Sequence, residues 1–230
     1  MISEAYLMDC MEYMEAVPDK WFDLCLCDPE YGIGEDGKKN HSRGKLAKPT
    51  LYPDKKWDRK TQDQIYFNEL RRISKHQIIW GANHFISKMP YDSPSWIVWD
   101  KLNGDNDFAD CELAWTSHKT AVRIFRFKWA GMLQGDMKNK EIRIHVTQKP
   151  VALYKWIYHN YIPNGGKVFD SHAGSNSNRI AADMAGNIDY YSTEIDPDYF
   201  NDAEKRWREY KAQAVITFPD RIDPVQSALF

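Results

Sequence analysis

The chain has 230 residues, 43% of them hydrophobic, 14% aromatic and 28% charged, a balance too apolar for intrinsic disorder and sufficient for one sizeable core. Its 31 Lys and Arg against 33 Asp and Glu give a net charge of −2, so bulk charge neither requires nor excludes an acidic partner, and any nucleic acid must be met by a local basic face. The four cysteines at 10, 25, 27 and 111 form no Cys-x-x-Cys pair and no zinc-spaced cluster, so no metal is expected.

In chain order, Phe22-Asp-Leu-Cys-Leu-Cys27 is an apolar run stopped by Asp28-Pro29, which predicts a buried strand ending in a turn, with Cys25 and Cys27 sharing one face. Residues 35–60 lack periodicity and are rich in Lys, Gly, Asn and Pro, a long loop. Gln62 to Ser74 spaces Ile65, Leu70 and Ile73 as a helix does. Buried strands are expected at 77–81 and 96–99, and aromatic-rich strands at 111–116 and 121–129. Beyond Pro150, a helix at 151–161 meets the Asn164-Gly165-Gly166 stop, followed by a strand at 167–170, a helix at 177–185, a strand at 188–194 and a charged surface helix at 198–212. The tail from Phe218 reads as loosely ordered. Alternating strands and helices predict an α/β chain, a mostly parallel sheet covered on both faces. The N-terminus carries no secretory pattern and no run reaches membrane-spanning length, so a protein of the reducing cytosol is expected.

Ligands of open parallel sheets lie beyond the carboxyl ends of strands, and two such ends are chemically loaded. One is Asp28-Pro29-Glu30-Tyr31-Gly32-Ile33-Gly34; the other is Asp170-Ser171-His172-Ala173-Gly174-Ser175-Asn176-Ser177. Glu194 ends the next strand. A glycine-containing strand-to-helix turn followed by an acidic strand end suits a nucleoside, whose ribose hydroxyls a carboxylate can accept.

These residues resemble the amino-group DNA methyltransferases of permuted (β) motif order, particularly small phage-type adenine-N6 enzymes. Asp28, Pro29 and Tyr31 match the family's Asp-Pro-Pro-Tyr, and Gly32-Ile33-Gly34 its extension. His145-Val146-Thr147-Gln148-Lys149-Pro150 is similar to the cofactor-side His-Pro-Thr-Gln-Lys-Pro, and Asp170, Gly174, Ser175 and Ser177 to its glycine-serine loop. Leu7-Met8-Asp9-Cys10 and Glu194-Ile195 resemble its two further cofactor motifs. The resemblance runs through nearly the whole chain, in order. It implies a Rossmann-like, mostly parallel seven-stranded sheet and methyl transfer from S-adenosyl-L-methionine to N6 of a flipped-out adenine in double-stranded DNA. It further implies Asp28, Pro29, Glu30 and Tyr31 at the reacting amine. Cofactor contacts would come from Asp9, Cys10, Asp28, the 145–150 stretch, Asp170, His172, Gly174, Ser175, Asn176, Ser177, Glu194 and Ile195. A homodimer is a family expectation.

Between 35 and 60, Lys38, Lys39, Arg43, Lys45, Lys48, Lys55, Lys56, Arg59 and Lys60 face four acidic residues, an excess of five cations beside the catalytic turn and the main candidate for DNA phosphates. A weaker basic patch, Lys119, Arg123, Arg126, Lys128, Lys138, Lys140 and Arg143, falls in an expected target-recognition region at about 100–144 of a single methyltransferase domain. Three departures stand out: Glu30 replaces the second proline, Asn176 a glycine of the cofactor loop, and Val146 the proline of the 145–150 stretch. They keep two alternatives in play, a methyltransferase-fold binder of DNA or protein with impaired catalysis and an N4-cytosine enzyme. The N4-cytosine motif more often begins with Ser, so Asp28 favours adenine.

Overall fold

The computed structural model describes residues 1–34, 58–89, 91–104, 109–130 and 133–214. The expected basic loop, apart from residues 58–60, and the expected loose tail therefore lie outside the described residues. Five parallel strands lie side by side: β1 (Ser3–Leu7), β10 (Ile188–Glu194), β9 (Gly166–Asp170), β2 (Phe22–Cys27) and β3 (Ser74–Trp80). Beyond β3 the sheet continues as β5 (Cys111–Thr116), β4 (Trp96–Asp100) and β6 (Arg123–Arg126), with β5 antiparallel to both its neighbours. Among the described residues the main sheet thus has eight strands, one more than expected, the addition being β1 at its edge. The stretch read as one strand at 121–129 divides into β6 and β7 (Trp129–Ala130), the latter pairing with β8 (Leu133–Gln134) in a separate ribbon.

Alternation along β2 explains the two-sided burial. Leu24 and Leu26 face a core with Ile78, Trp80 and Leu153 and Ile157 of α3 (Val151–Tyr161). Cys25 and Cys27, both fully buried as free thiols, face the opposite core with Tyr66, Phe67, Leu70 and Ile73 of α2 (Gln64–Ile73). The helix α2 starts at Asp63, whose side chain accepts from the Tyr66 N–H. The short α1 (Cys10–Glu15) joins α2 on that face, while α4 (Ser177–Ala185) packs with α3 on the other and α5 (Pro197–Ala214) lies against α4 and β10. No helix among the described residues is long and apolar enough to cross a membrane.

The consequence for function is positional. Because β1, β10, β9, β2 and β3 run parallel, their carboxyl ends share one edge of the sheet. That edge carries Asp9, Glu194, the 170–177 turn, the 28–34 turn and Gly81.

Candidate active site

Asp28 follows β2 directly, and only 17% of its side chain is exposed. Its Oδ2 lies 2.5 Å from Nζ of Lys149, and its Oδ1 accepts from the Tyr31 hydroxyl at 2.8 Å. Lys149 is 2% exposed, donates to the Tyr31 hydroxyl at 3.0 Å, and lies 3.2 Å from Oε2 of Glu112 on β5. Glu112 pairs in turn with Lys101 at 2.5 Å. Two carboxylates and two ammonium groups thus alternate through one buried cluster. Burial pushes the Asp28 carboxyl up and the Lys149 ammonium only partly offsets it. Burial likewise opposes the charge on Lys149, but Asp28 and Glu112 outweigh it and hold the ammonium above its usual range. Burial works against the Glu112 anion too, yet its two lysine partners hold that carboxyl down at about 2.

The ring of Tyr31 turns inward. It stacks on His84 at 5.0 Å with planes 15° apart and passes over Gly81. Gly81 directly follows β3 at φ +70°, and a Cβ there would stand 2.0 Å from the tyrosine ring. Glycine at that position is therefore required twice over, for its backbone and for the approach of Tyr31.

On the neighbouring strand β9, Asp170 is 3% exposed and structural: its carboxylate accepts from the His172 N–H, the Asn178 amide and the Tyr190 hydroxyl. Burial pushes it up to about 7. Glu194, at the end of β10, accepts from the Gly174 N–H at 3.0 Å and the Asp196 N–H at 2.9 Å, and burial pushes its carboxyl up. Gly174 itself has φ +52°, and the nearest side chain to a Cβ there is the His145 ring at 3.9 Å, so the turn leaves its backbone uncovered on that side. Ile195, next along, is 62% exposed. A held carboxylate for a diol, an uncovered glycine turn and an exposed aliphatic side chain fit the ribose, the chain and the base of a nucleoside cofactor.

Asn176 adopts φ +60° and caps α4, the left-handed conformation that asparagine tolerates best after glycine. Its side chain is directed toward Glu204 of α5 at 3.4 Å. The loop is held from behind by Arg206 of α5, which donates to the Ser175 carbonyl and the Ser177 hydroxyl and pairs with Glu141 at 2.7 Å.

The expected residues divide by placement. Asp28, Tyr31 and Lys149 come together, as do Gly174, Glu194 and His145, whose ring also lies 4.2 Å from that of Tyr199. Thr147 hydrogen-bonds the His145 ring. Gln148 is 5% exposed and ties residues 142 and 144 together, and Pro150 is the N-cap of α3. Asp9 caps α1 by accepting from the Met11 N–H, with Cys10 the first helical residue. Sequence reasoning missed Glu112, Lys101 and Gln62; the charge of Glu112 inside an otherwise apolar strand was the signal available for it. In the weaker basic patch, Arg126 pairs with Asp100 and Arg143 lies over Trp129, so part of that charge is engaged within the fold. No group of three or more metal-ligating side chains occurs among the described residues.

Comparison with known proteins follows the same lines. A family model described as DNA methylase matches residues 108–205. The type II methyltransferase M.HinfI of Haemophilus influenzae is 24% identical over 249 residues, covering 88% of this chain and 67% of that protein. Solved methyltransferases have the same fold: the M1.HpyAVI–SAM complex at TM-score 0.53 and 18% identity, covering 90% of this chain and 99% of that one. The cytosine-N4-specific PvuII DNA methyltransferase aligns at TM-score 0.57 and 12% identity, covering 92% and 91%. The Rossmann-like methyltransferase sheet expected from the sequence is the observed fold.

Proposed function

We propose that the protein methylates N6 of adenine in duplex DNA, with S-adenosyl-L-methionine as donor, in the permuted motif order and of the kind that accompanies type II restriction. The observation that carries this reading is the buried Asp28 carboxylate at the sheet edge, one strand away from the Gly174–Glu194 crevice. Glu194 would accept the ribose hydroxyls, the uncovered Gly174 turn would border the methionine portion, and Ile195 the adenine. Bound there, S-adenosylmethionine would supply an electrophilic methyl, whose in-line transfer forms a nitrogen–carbon bond, breaks the sulfur–carbon bond and leaves the neutral thioether S-adenosylhomocysteine.

The rest is work for this chain's own residues. Extruding a base costs a few kcal/mol, which phosphate and stacking contacts must offset. The basic 35–60 segment is the sequence's strongest candidate for those phosphates. Each oxygen of Asp28 keeps a second lone pair beyond its bond to Tyr31 or Lys149, and one of these accepts an amine hydrogen. The Pro29 carbonyl accepts the other, turning the nitrogen lone pair toward the donor. Lys149 and Tyr31 fix the carboxylate in place, so alignment rather than a covalent nucleophile lowers the barrier. Asp28 then takes the proton that the methylated nitrogen sheds. Adenine is favoured over cytosine because the motif opens with Asp28 rather than Ser.

Incubation with methyl-labelled S-adenosylmethionine and mixed-sequence duplex, followed by digestion to nucleosides, tests this. N6-methyladenine is expected. Label in N4-methylcytosine would reassign the base, and no labelled nucleoside from protein that binds the cofactor would favour the impaired binder.

A further inference from the structure

Glu30, the residue that breaks the proline motif, meets a partner from the other turn. Its Oε2 lies 3.3 Å from Nε2 of His172 and accepts from the Gln62 amide at 2.7 Å. The two side chains are 16% and 18% exposed. His172 then shares a hydrogen bond at 2.8 Å with the Ser171 hydroxyl, and Ser171 one at 2.6 Å with the hydroxyl of Tyr66, which is fully buried on α2. A connected line therefore runs from the catalytic turn through the cofactor-side turn into the helix beneath them.

Resting on the methyltransferase reading of the site, we propose that Glu30 and His172 are a positioning pair that replaces the missing second proline, locking the Asp28 turn to the Asp170–Asn176 turn by an ion pair. Proline holds such a turn by fixing φ of one residue. An ion pair across two turns holds both, and it fixes their separation, which is the distance between amine and donor. The two turns leave adjacent parallel strands, paired at Leu24 with Val168 and at Cys25 with Phe169, so a short side-chain bridge can span them. An unpaired carboxylate or imidazolium at this depth would be costly, so each residue accounts for the other.

The lock depends on charge. Around His172 stand Glu30, the Asp170 and Glu194 carboxylates and the Cys27 thiol, with Tyr66 edge-on; around Glu30 stand His172, Gln62 and Cys10. Burial opposes the charge on His172, but Glu30 outweighs it and lifts the imidazolium to about 9, while Glu30 itself is held down at about 2 against its own burial. Both groups are charged across the neutral range. The raised histidine contributes fully below its ordinary value of about 6.5 and loses its contribution as pH climbs through about 9. The depressed carboxyl contributes fully above about 4.5 and loses it as pH falls through about 2.

The test combines NMR titration of the His172 ring with steady-state kinetics and calorimetric binding of S-adenosylmethionine, in the intact protein and in Glu30→Pro, Glu30→Gln, His172→Gln and the Glu30→Gln/His172→Gln double variant. The expected results are a His172 midpoint near 9 that falls by more than one unit in Glu30→Gln, and a loss of at least tenfold in kcat for Glu30→Gln that Glu30→Pro partly recovers. Parent kcat should fall as pH climbs through about 9 and the bridge loses its charge; that fall should disappear in the double variant, which should be less impaired than the two single Gln variants combined. A His172 midpoint near its ordinary value that ignores Glu30, or a Glu30→Gln enzyme as fast as the parent, overturns the pair. If the parent transfers no methyl at all, the methyltransferase reading fails, and the His172 titration with cofactor affinity still decides whether the bridge exists and holds the turn.

Discussion

Asp28→Ala is expected to lower methyl transfer by about a thousandfold or more while leaving S-adenosylmethionine binding within a few-fold of the parent. The size follows from the role: a preorganised acceptor aimed at developing charge on nitrogen is worth roughly 10²–10³ in rate when removed, and here the same group also takes the departing proton. The selectivity follows from position, since Asp28 ends β2 whereas the proposed donor contacts come from the ends of β9 and β10. Stability should change much less, because Lys149 keeps Glu112 as a partner at 3.2 Å. Single-turnover transfer alongside calorimetric binding measures both quantities. Activity within tenfold of the parent would remove Asp28 from the chemistry.

Lys149→Met should behave in the opposite way, with a large loss of stability. Its ammonium is 2% exposed and compensates two carboxylates, so deleting it leaves Asp28 and Glu112 facing each other, with Lys101 still paired to Glu112. Breaking a buried pair by removing one partner costs roughly 3–5 kcal/mol, which for a chain of this size lowers the melting temperature by around 10 °C. The pH dependence gives the sign. Glu112 is held at about 2, below its unfolded value, so its contribution is present above pH 4.5 or so and is lost as pH falls through about 2. Without Lys149 that depression weakens, and the gap between parent and variant should narrow on acidification below pH 4.5. Thermal melts at pH 7 and pH 3 would show it; an equal gap at both would place the cost in packing rather than charge.

How much of this was legible beforehand depends on the range of the interactions. The strands at 22–27 and 188–194 and the helices at 151–161 and 177–185 have their observed limits in the sequence, because each run ends at or within a few residues of a Pro or Gly; the strand at 111–116 matches as well, on its aromatic and apolar content alone. No pattern in the sequence predicts β1: only five residues long, it lies at the sheet edge and none of its residues is fully buried, so SEAYL carries no clear alternation. Nor does any local pattern reveal that β5 inserts antiparallel between β3 and β4. The two loaded turns were legible as motifs. Their chemistry was not, since it comes from residues distant in sequence: Lys149 on Asp28, Glu112 on Lys149 and His172 on Glu30. Glu30, a flaw when set against a motif, is paired once the fold brings β2 beside β9.

The central claim is that the donor binds in the crevice between the Gly174 turn and Glu194, one strand away from Asp28. Calorimetric titration of S-adenosylmethionine into the parent and into Glu194→Ala tests it most directly. A loss of at least tenfold in affinity on removing that carboxylate is expected, as for a pair of charge-assisted hydrogen bonds at about 1.5–3 kcal/mol each. Unchanged affinity in Glu194→Ala would contradict the account.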